Sequence, residues 1–139
     1  MTINPYLNFP GTTEVAFNFY KSVFGGEFTV LQRLKETPDG AKLSPELQEK
    51  IMHVALPIAN GYTLMATDAC AEMGFSLKQG NNFYIAISPD SREEAERLFN
   101  GLSAGGKVEM ALQDTFWGAY YGSFTDQFGI GWMINYEKK

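Results

Sequence analysis

The chain has 139 residues, 45% hydrophobic and 14% aromatic, with a formal net charge of -5 and a pI near 4.8. That length and composition describe one globular domain able to bury a core without staples, and the acidic balance excludes the basic face that non-specific nucleic-acid binding needs. The single cysteine, Cys70, excludes an internal disulfide. No apolar stretch approaches the ~20 residues of a bilayer span, and the start MTINPYLNF lacks the basic-then-apolar order of a signal peptide, so a cytoplasmic protein bound to neither nucleic acid nor membrane is expected.

Residues 3–9 read as a first strand, and Gly11-Thr12-Thr13 as a turn into a helix. Val15, Ala16, Phe19, Tyr20, Val23 and Phe24 form the helix's apolar stripe. Glu14 sits in its first turn, where the dipole favours a negative charge, and Gly25-Gly26 ends it. A strand over 27–35 follows. Residues 36–49, with two prolines and many charges, read as a long exposed loop with a helical turn after Ser44. Strands over 50–58 and 62–68 flank Asn60-Gly61, a hairpin signal. After an irregular stretch over 69–81, residues 82–88 read as a strand. Ser91 and Glu94 have capping-box spacing, and Ala95, Leu98, Phe99 and Leu102 give the second helix its stripe up to Gly105-Gly106. Val108–Leu112 is a short strand, and 119–125 with 131–136 a closing pair around Asp126-Gln127-Phe128-Gly129.

The order strand, helix, Gly-Gly, three strands therefore occurs twice. A shift of 80 residues places Glu14 on Glu94, Phe19 on Phe99 and Gly25-Gly26 on Gly105-Gly106. The expected fold is α+β: two βαβββ modules, about 1–68 and about 81–137, within a single domain over 1–139, with curved mixed sheets around a central cleft and helices on the outer face.

Strand alternation assigns the faces. Tyr6 and Asn8, with Asn4, face the cleft from the first strand, as do His53, Met65 and Thr67. Tyr84, Met133 and Asn135 do so in the second module. The residues between them, including Met52, Val54, Leu56, Tyr62, Leu64, Ala66, Phe83, Ile85, Ile87, Trp132, Ile134 and Tyr136, are expected to pack under the helices. His53 reads either as a general base or as a hydrogen-bonded histidine lining a sheet. Asp68 reads either as a partner for His53 or as a turn cap. Asp126 reads as a carboxylate binding local amides, with Gly129 supplying a positive φ. Trp117, Gly118, Tyr120 and Tyr121 form either an aromatic wall for a ligand or a core cluster. Cys70, between Asp68 and Glu72, is expected to have a raised pKa and no nucleophilic role.

The start PYL with FNFYKSVFGG, the strand KIMHVALPI and the segment ALQDTFWGAYYGSFTDQFGIGWMI resemble the PhnB-like branch of the vicinal oxygen chelate superfamily, which includes glyoxalases, bleomycin-resistance proteins and extradiol dioxygenases. The resemblance covers nearly the whole chain and is most specific from Trp117 to Trp132. It implies a homodimer with ligand pockets at the interface. It also implies metal positions on the first and last strand of each module, which here fall at Asn4 or Pro5, Met65 or Leu64, Tyr84, and Met133. None is a histidine or carboxylate, and thioether, phenol and amide are poor ligands for a divalent ion, so neither metal nor cofactor is expected. Some members of the branch are described as demethylubiquinone methyltransferases, but no glycine-rich strand–loop–helix site for a methyl donor is present. The expected function is metal-free binding of a small organic ligand in resistance or detoxification. The ligand-facing set is Tyr6, Asn8, His53, Met65, Thr67, Tyr84, Trp117, Tyr121, Met133 and Asn135. The alternative is a glyoxalase-like lyase or isomerase, or a metal-independent enzyme using His53 as base.

Overall fold

Each half of the chain folds around one helix packed on one face of a four-stranded sheet. The structure is a computed structural model that describes residues 1–59 and 61–137. It contains two compact units, Met1–Lys78 and Gln79–Lys139. Asn60 of the expected hairpin turn lies outside the described residues.

In the first unit the elements are β1 (Tyr6–Phe9), α1 (Thr13–Phe24), β2 (Val30–Arg33), α2 (Pro45–Gln48), β3 (Ile51–Ala59) and β4 (Tyr62–Asp68). The sheet order is β1-β4-β3-β2, with β1 parallel to β4 and the other pairs antiparallel. The second unit repeats this with β5 (Ile85–Ile87), α3 (Arg92–Ser103), β6 (Lys107–Asp114), β7 (Ala119–Thr125) and β8 (Gly131–Glu137), in the order β5-β8-β7-β6. The register repeats as well. Tyr6, Met65, Ala55 and Val30 form one row across the first sheet, and Ala86, Met133, Ser123 and Met110 the matching row across the second. The outer strands of these rows are 80 residues apart in sequence and the inner ones 68. The difference of 12 is the extra chain between β2 and β3, where the long loop carries α2 and two 3-10 turns. Ser44 caps α2, its hydroxyl accepting from Leu47 N at 3.3 Å.

The helices sit where their stripes predict, with one correction. The buried side of α1 is Thr13, Ala16, Phe17 and Tyr20, which is i, i+3, i+4, i+7 spacing, and Val15 is 64% exposed. Phe17 packs edge-on against Phe9 and Tyr20, with ring centroids 6.4 and 5.5 Å away. In the second unit α3 buries Ala95, Leu98, Phe99 and Leu102, and Phe99 meets Phe124 edge-on at 5.0 Å. Ser91 caps α3 by accepting from Glu94 N at 3.0 Å, but Glu94 reaches back to the amide of Asp90, one residue before the cap. Four strand expectations change length: β1 and β2 shorten to four residues each from the expected 3–9 and 27–35. β5 has only three residues, so Phe83 precedes it and is 62% exposed rather than packed under the helix. β6 runs for eight residues along the sheet edge. Tyr62 is also exposed, at the first position of β4.

Gly105-Gly106 does more than end α3. Gly105 has φ +76°, and a Cβ on Gly106 would land on the Thr125 carbonyl oxygen and the Asp126 backbone. Because backbone cannot yield as a side chain can, Gly106→Ala is expected to destabilise the fold by about 1–3 kcal/mol. Urea unfolding would check this, and an unchanged midpoint would mean the contact relaxes freely.

Candidate functional site

The helices cover one face of each sheet, and the opposite face carries the side chains assigned to ligand contact. On the first sheet Leu7, Phe9, Val54, Leu56, Leu64 and Ala66 are buried, while Tyr6 and Asn8 are exposed and His53, Met65 and Thr67 half-buried. Register places Tyr6 beside Met65, Asn8 beside Thr67 and His53 beside Gln32. The Tyr6 hydroxyl and His53 Nδ1 are 3.0 Å apart, and the two rings stack at 5.6 Å between centroids with planes 15° apart. Partial burial pushes the Tyr6 phenol pKa up, so the phenol stays protonated and serves as a donor at neutral pH. The Thr67 hydroxyl donates to the Ile51 carbonyl at 3.3 Å, and Asn4 Oδ1 accepts from Thr63 N at 2.9 Å.

Asp68 faces the other way. Its carboxylate accepts from Thr13 N at 3.0 Å and Ile51 N at 2.8 Å, tying the start of α1 to the start of β3. Of its two readings the cap holds, because alternation along β4 turns Asp68 to the helix side and Thr67 to the other. Cys70 is buried, and burial first, then Asp68, pushes its thiol pKa up.

On the second sheet Trp132 and Ile134 are buried under α3 and Met133 and Asn135 are half-buried. Asn135 stands beside Tyr121, and Met133 between Ala86 and Ser123. Tyr84 lies across Gly131, where a Cβ would come within 2.9–3.2 Å of its ring carbons. Its hydroxyl donates to Glu109 Oε1 at 2.6 Å, and that bond pushes the phenol pKa up. Sequence reasoning missed Glu109. The register shifts between Val108 and Met110, so Glu109, which also accepts from Thr125 at 3.4 Å, addresses the same face as Met110. Simple alternation cannot reveal a bulge. The aromatic group over 117–121 divides. Trp117 meets Tyr121 edge-on at 6.1 Å, with Phe116, 97% exposed, at its other edge. Tyr120, the adjacent strand residue, turns to the helix side under the Arg92 guanidinium, 3.8 Å from its ring centre. Asn135 also lines a polar recess of about 460 Å³ with Ser88, Pro89, Asp90, Tyr136 and Glu137.

These residues do not fit a superfamily-type metal. The carried-over positions present an amide already accepting a backbone hydrogen bond, two thioethers and a phenol bound to a carboxylate. No three histidine, cysteine or acidic side chains converge among the described residues. No described helix is long and apolar enough to cross a membrane.

The sequence profile of the family described as 3-demethylubiquinone-9 3-methyltransferase matches residues 1–135. The chain belongs to that family. Protein YjdN of Escherichia coli K12 is 34% identical to it over all of this chain and 97% of its own length. The crystal structure of protein PA1353 from Pseudomonas aeruginosa is 37% identical, covers 100% of this chain and 99% of its own, and superposes with a TM-score of 0.86. A glyoxalase/bleomycin resistance/dioxygenase family enzyme from Burkholderia phytofirmans PsJN, 18% identical over 99% of this chain and 97% of its own, shares the fold at a TM-score of 0.60. The resemblance read from the motifs is thus matched by a family profile over residues 1–135, and the expected two-module fold by the Burkholderia structure. The methyltransferase description is not matched by a donor cradle. The two strand-to-helix junctions read Pro10-Gly11-Thr12 and Ser88-Pro89-Asp90-Ser91, with one glycine between them, and Asp68 already occupies the first amide of α1. A nucleotide-bearing methyl donor wants a glycine-rich loop and free helix amides there.

Proposed function

We propose that residues 1–139 form a metal-free small-molecule-binding domain of the glyoxalase/bleomycin-resistance type, serving resistance or detoxification as a homodimer. One observation carries the reading: each sheet has, on the face away from its helix, hydrogen-bonding aromatics beside thioethers and amides. These are Tyr6, His53 and Met65 in one unit and Tyr84, Tyr121 and Met133 in the other. Such a mixture suits a planar organic ligand with a few polar atoms. The purified protein is expected to carry no stoichiometric divalent ion by elemental analysis. In a thermal-shift screen, an aromatic ligand at 100 times its Kd should stabilise the native state by about 2.7 kcal/mol. A bound stoichiometric ion, or a broad screen with no stabilising ligand, would overturn the reading.

The half-exposed position of His53 on the face away from α1 favours a second reading, a glyoxalase-like lyase or isomerase, or a metal-independent enzyme in which His53 acts as general base. On an identified substrate, His53→Ala should then lower kcat by about 10²- to 10⁴-fold, and unchanged turnover would remove that role.

A further inference from the structure

His53 is the chain's only histidine, and its two ring nitrogens stand in different surroundings. Nδ1 lies 3.0 Å from the Tyr6 hydroxyl. Nε2 has no hydrogen-bond partner among the described residues, yet it is not among their buried atoms lacking one, so solvent or a ligand reaches it. A phenol is a strong donor and a weak acceptor, whereas an imidazole nitrogen lone pair is a strong acceptor. The favoured arrangement therefore has Tyr6 O–H donating to Nδ1, which leaves the ring proton on Nε2. Ring stacking at 15° holds both side chains in this geometry. Around the pair, register places Gln32 beside His53, and Asn8 beside Thr67. Tyr6, Asn8, Gln32, His53, Met65 and Thr67 include no carboxylate. The hydrogen-bonding groups on this face are therefore the Nε2–H that the tautomer fixes and the side-chain amides of Asn8 and Gln32.

We propose that the Tyr6–His53 pair is a recognition site for an oxygen acceptor on an aromatic ligand, a carbonyl or carboxylate oxygen that accepts from His53 Nε2–H. Tyr6 is the positioning residue, since it sets the tautomer that makes His53 a donor. The assignment rests on the small-molecule-binding reading and names the ligand chemistry at one end of that site.

The lone histidine makes the test direct. Nitrogen-15 NMR of the full chain, at a pH where the ring is neutral, should show the Nε2–H form predominating, with Nδ1 as acceptor. Tyr6→Phe should shift the ring toward a mixture of tautomers. Titration with benzoate and benzamide should move the His53 ring signals, the two arms separating carboxylate from carbonyl recognition, while benzylamine, which lacks an oxygen acceptor, should not. In Tyr6→Phe the Kd of the effective probe should rise roughly three- to tenfold, the loss of about one hydrogen bond. A predominant Nδ1–H form in the wild-type chain overturns the proposal without any variant or ligand. So does a benzylamine response as large as that of the acceptors, or binding of the acceptors that leaves His53 unmoved. The last outcome would still uphold small-molecule binding, whereas no perturbation anywhere by any probe would remove that reading as well.

Discussion

Asp126→Ala is expected to destabilise the protein by about 3–5 kcal/mol, because one buried carboxylate serves three donors. Oδ1 accepts from Phe128 N at 2.8 Å and Ile130 N at 3.1 Å, closing the Asp126–Gly129 turn, and Oδ2 accepts from the Trp132 indole at 2.8 Å. Asp126 is 3% exposed and Trp132 fully buried, so water cannot replace the lost acceptor at the indole. Gly129, at φ +91°, lets the chain turn back so that Trp132 meets the carboxylate. The expected fall in Tm is on the order of 10 °C for a chain of this size. Equilibrium urea unfolding would measure the energy. Asp126→Asn should also be costly, since its amide nitrogen must face one of the three donors. A double-mutant cycle with Trp132→Phe isolates the indole bond, with an expected coupling of about 1–3 kcal/mol. A loss below about 1 kcal/mol for Asp126→Ala would show that the turn closes without the carboxylate.

The contrast between Asp126 and Glu109 marks what could be read in the chain. Asp126's amide partners lie within four residues, so turn chemistry foretells them, and only the indole partner needed the fold. Period-2 alternation likewise sorts Tyr6, His53, Met65, Thr67, Met133 and Asn135 onto the faces away from the helices, because regular strands leave little freedom. Glu109 escaped because a bulge resets alternation, and bulges leave no periodic trace. The α1 stripe read from the sequence takes Val15 and omits Phe17, since a run of apolar residues one apart allows two stripe phases and only packing chooses. The repeat was legible in element order, but its strength lies in the matched rows of the two sheets, which are long-range pairings that local propensity does not encode. The metal positions show the same division: residue type told that they are poor ligands, and the structure added that Asn4 and Tyr84 already have other partners.

Asp68→Ala tests the corresponding anchor in the first unit, with an expected loss of about 2–4 kcal/mol. Its carboxylate is 5% exposed and holds two amides, Thr13 N from a residue 55 positions away and Ile51 N from 17 away. The Thr12 side chain supplies no cap to α1, so Asp68 does that work across the fold. Thr13 Oγ1 is already buried without a partner, so the variant would add two orphan donors beside an existing orphan. Hydrogen exchange should show the amides of Thr13 and Ile51 losing protection ahead of the rest of the first unit. Asp68→Asn, which keeps one acceptor oxygen, should lose about half as much. It should also lower the Cys70 thiol pKa, because Asp68's negative charge is the second cause raising it, and only part of the way, because burial is the first. Thiol alkylation followed against pH would read that shift. If Cys70 titrates unchanged while stability falls, Asp68 acts on the backbone amides alone. If stability holds, the helix start is fixed by the apolar packing of Ala16, Phe17 and Tyr20, not by the carboxylate.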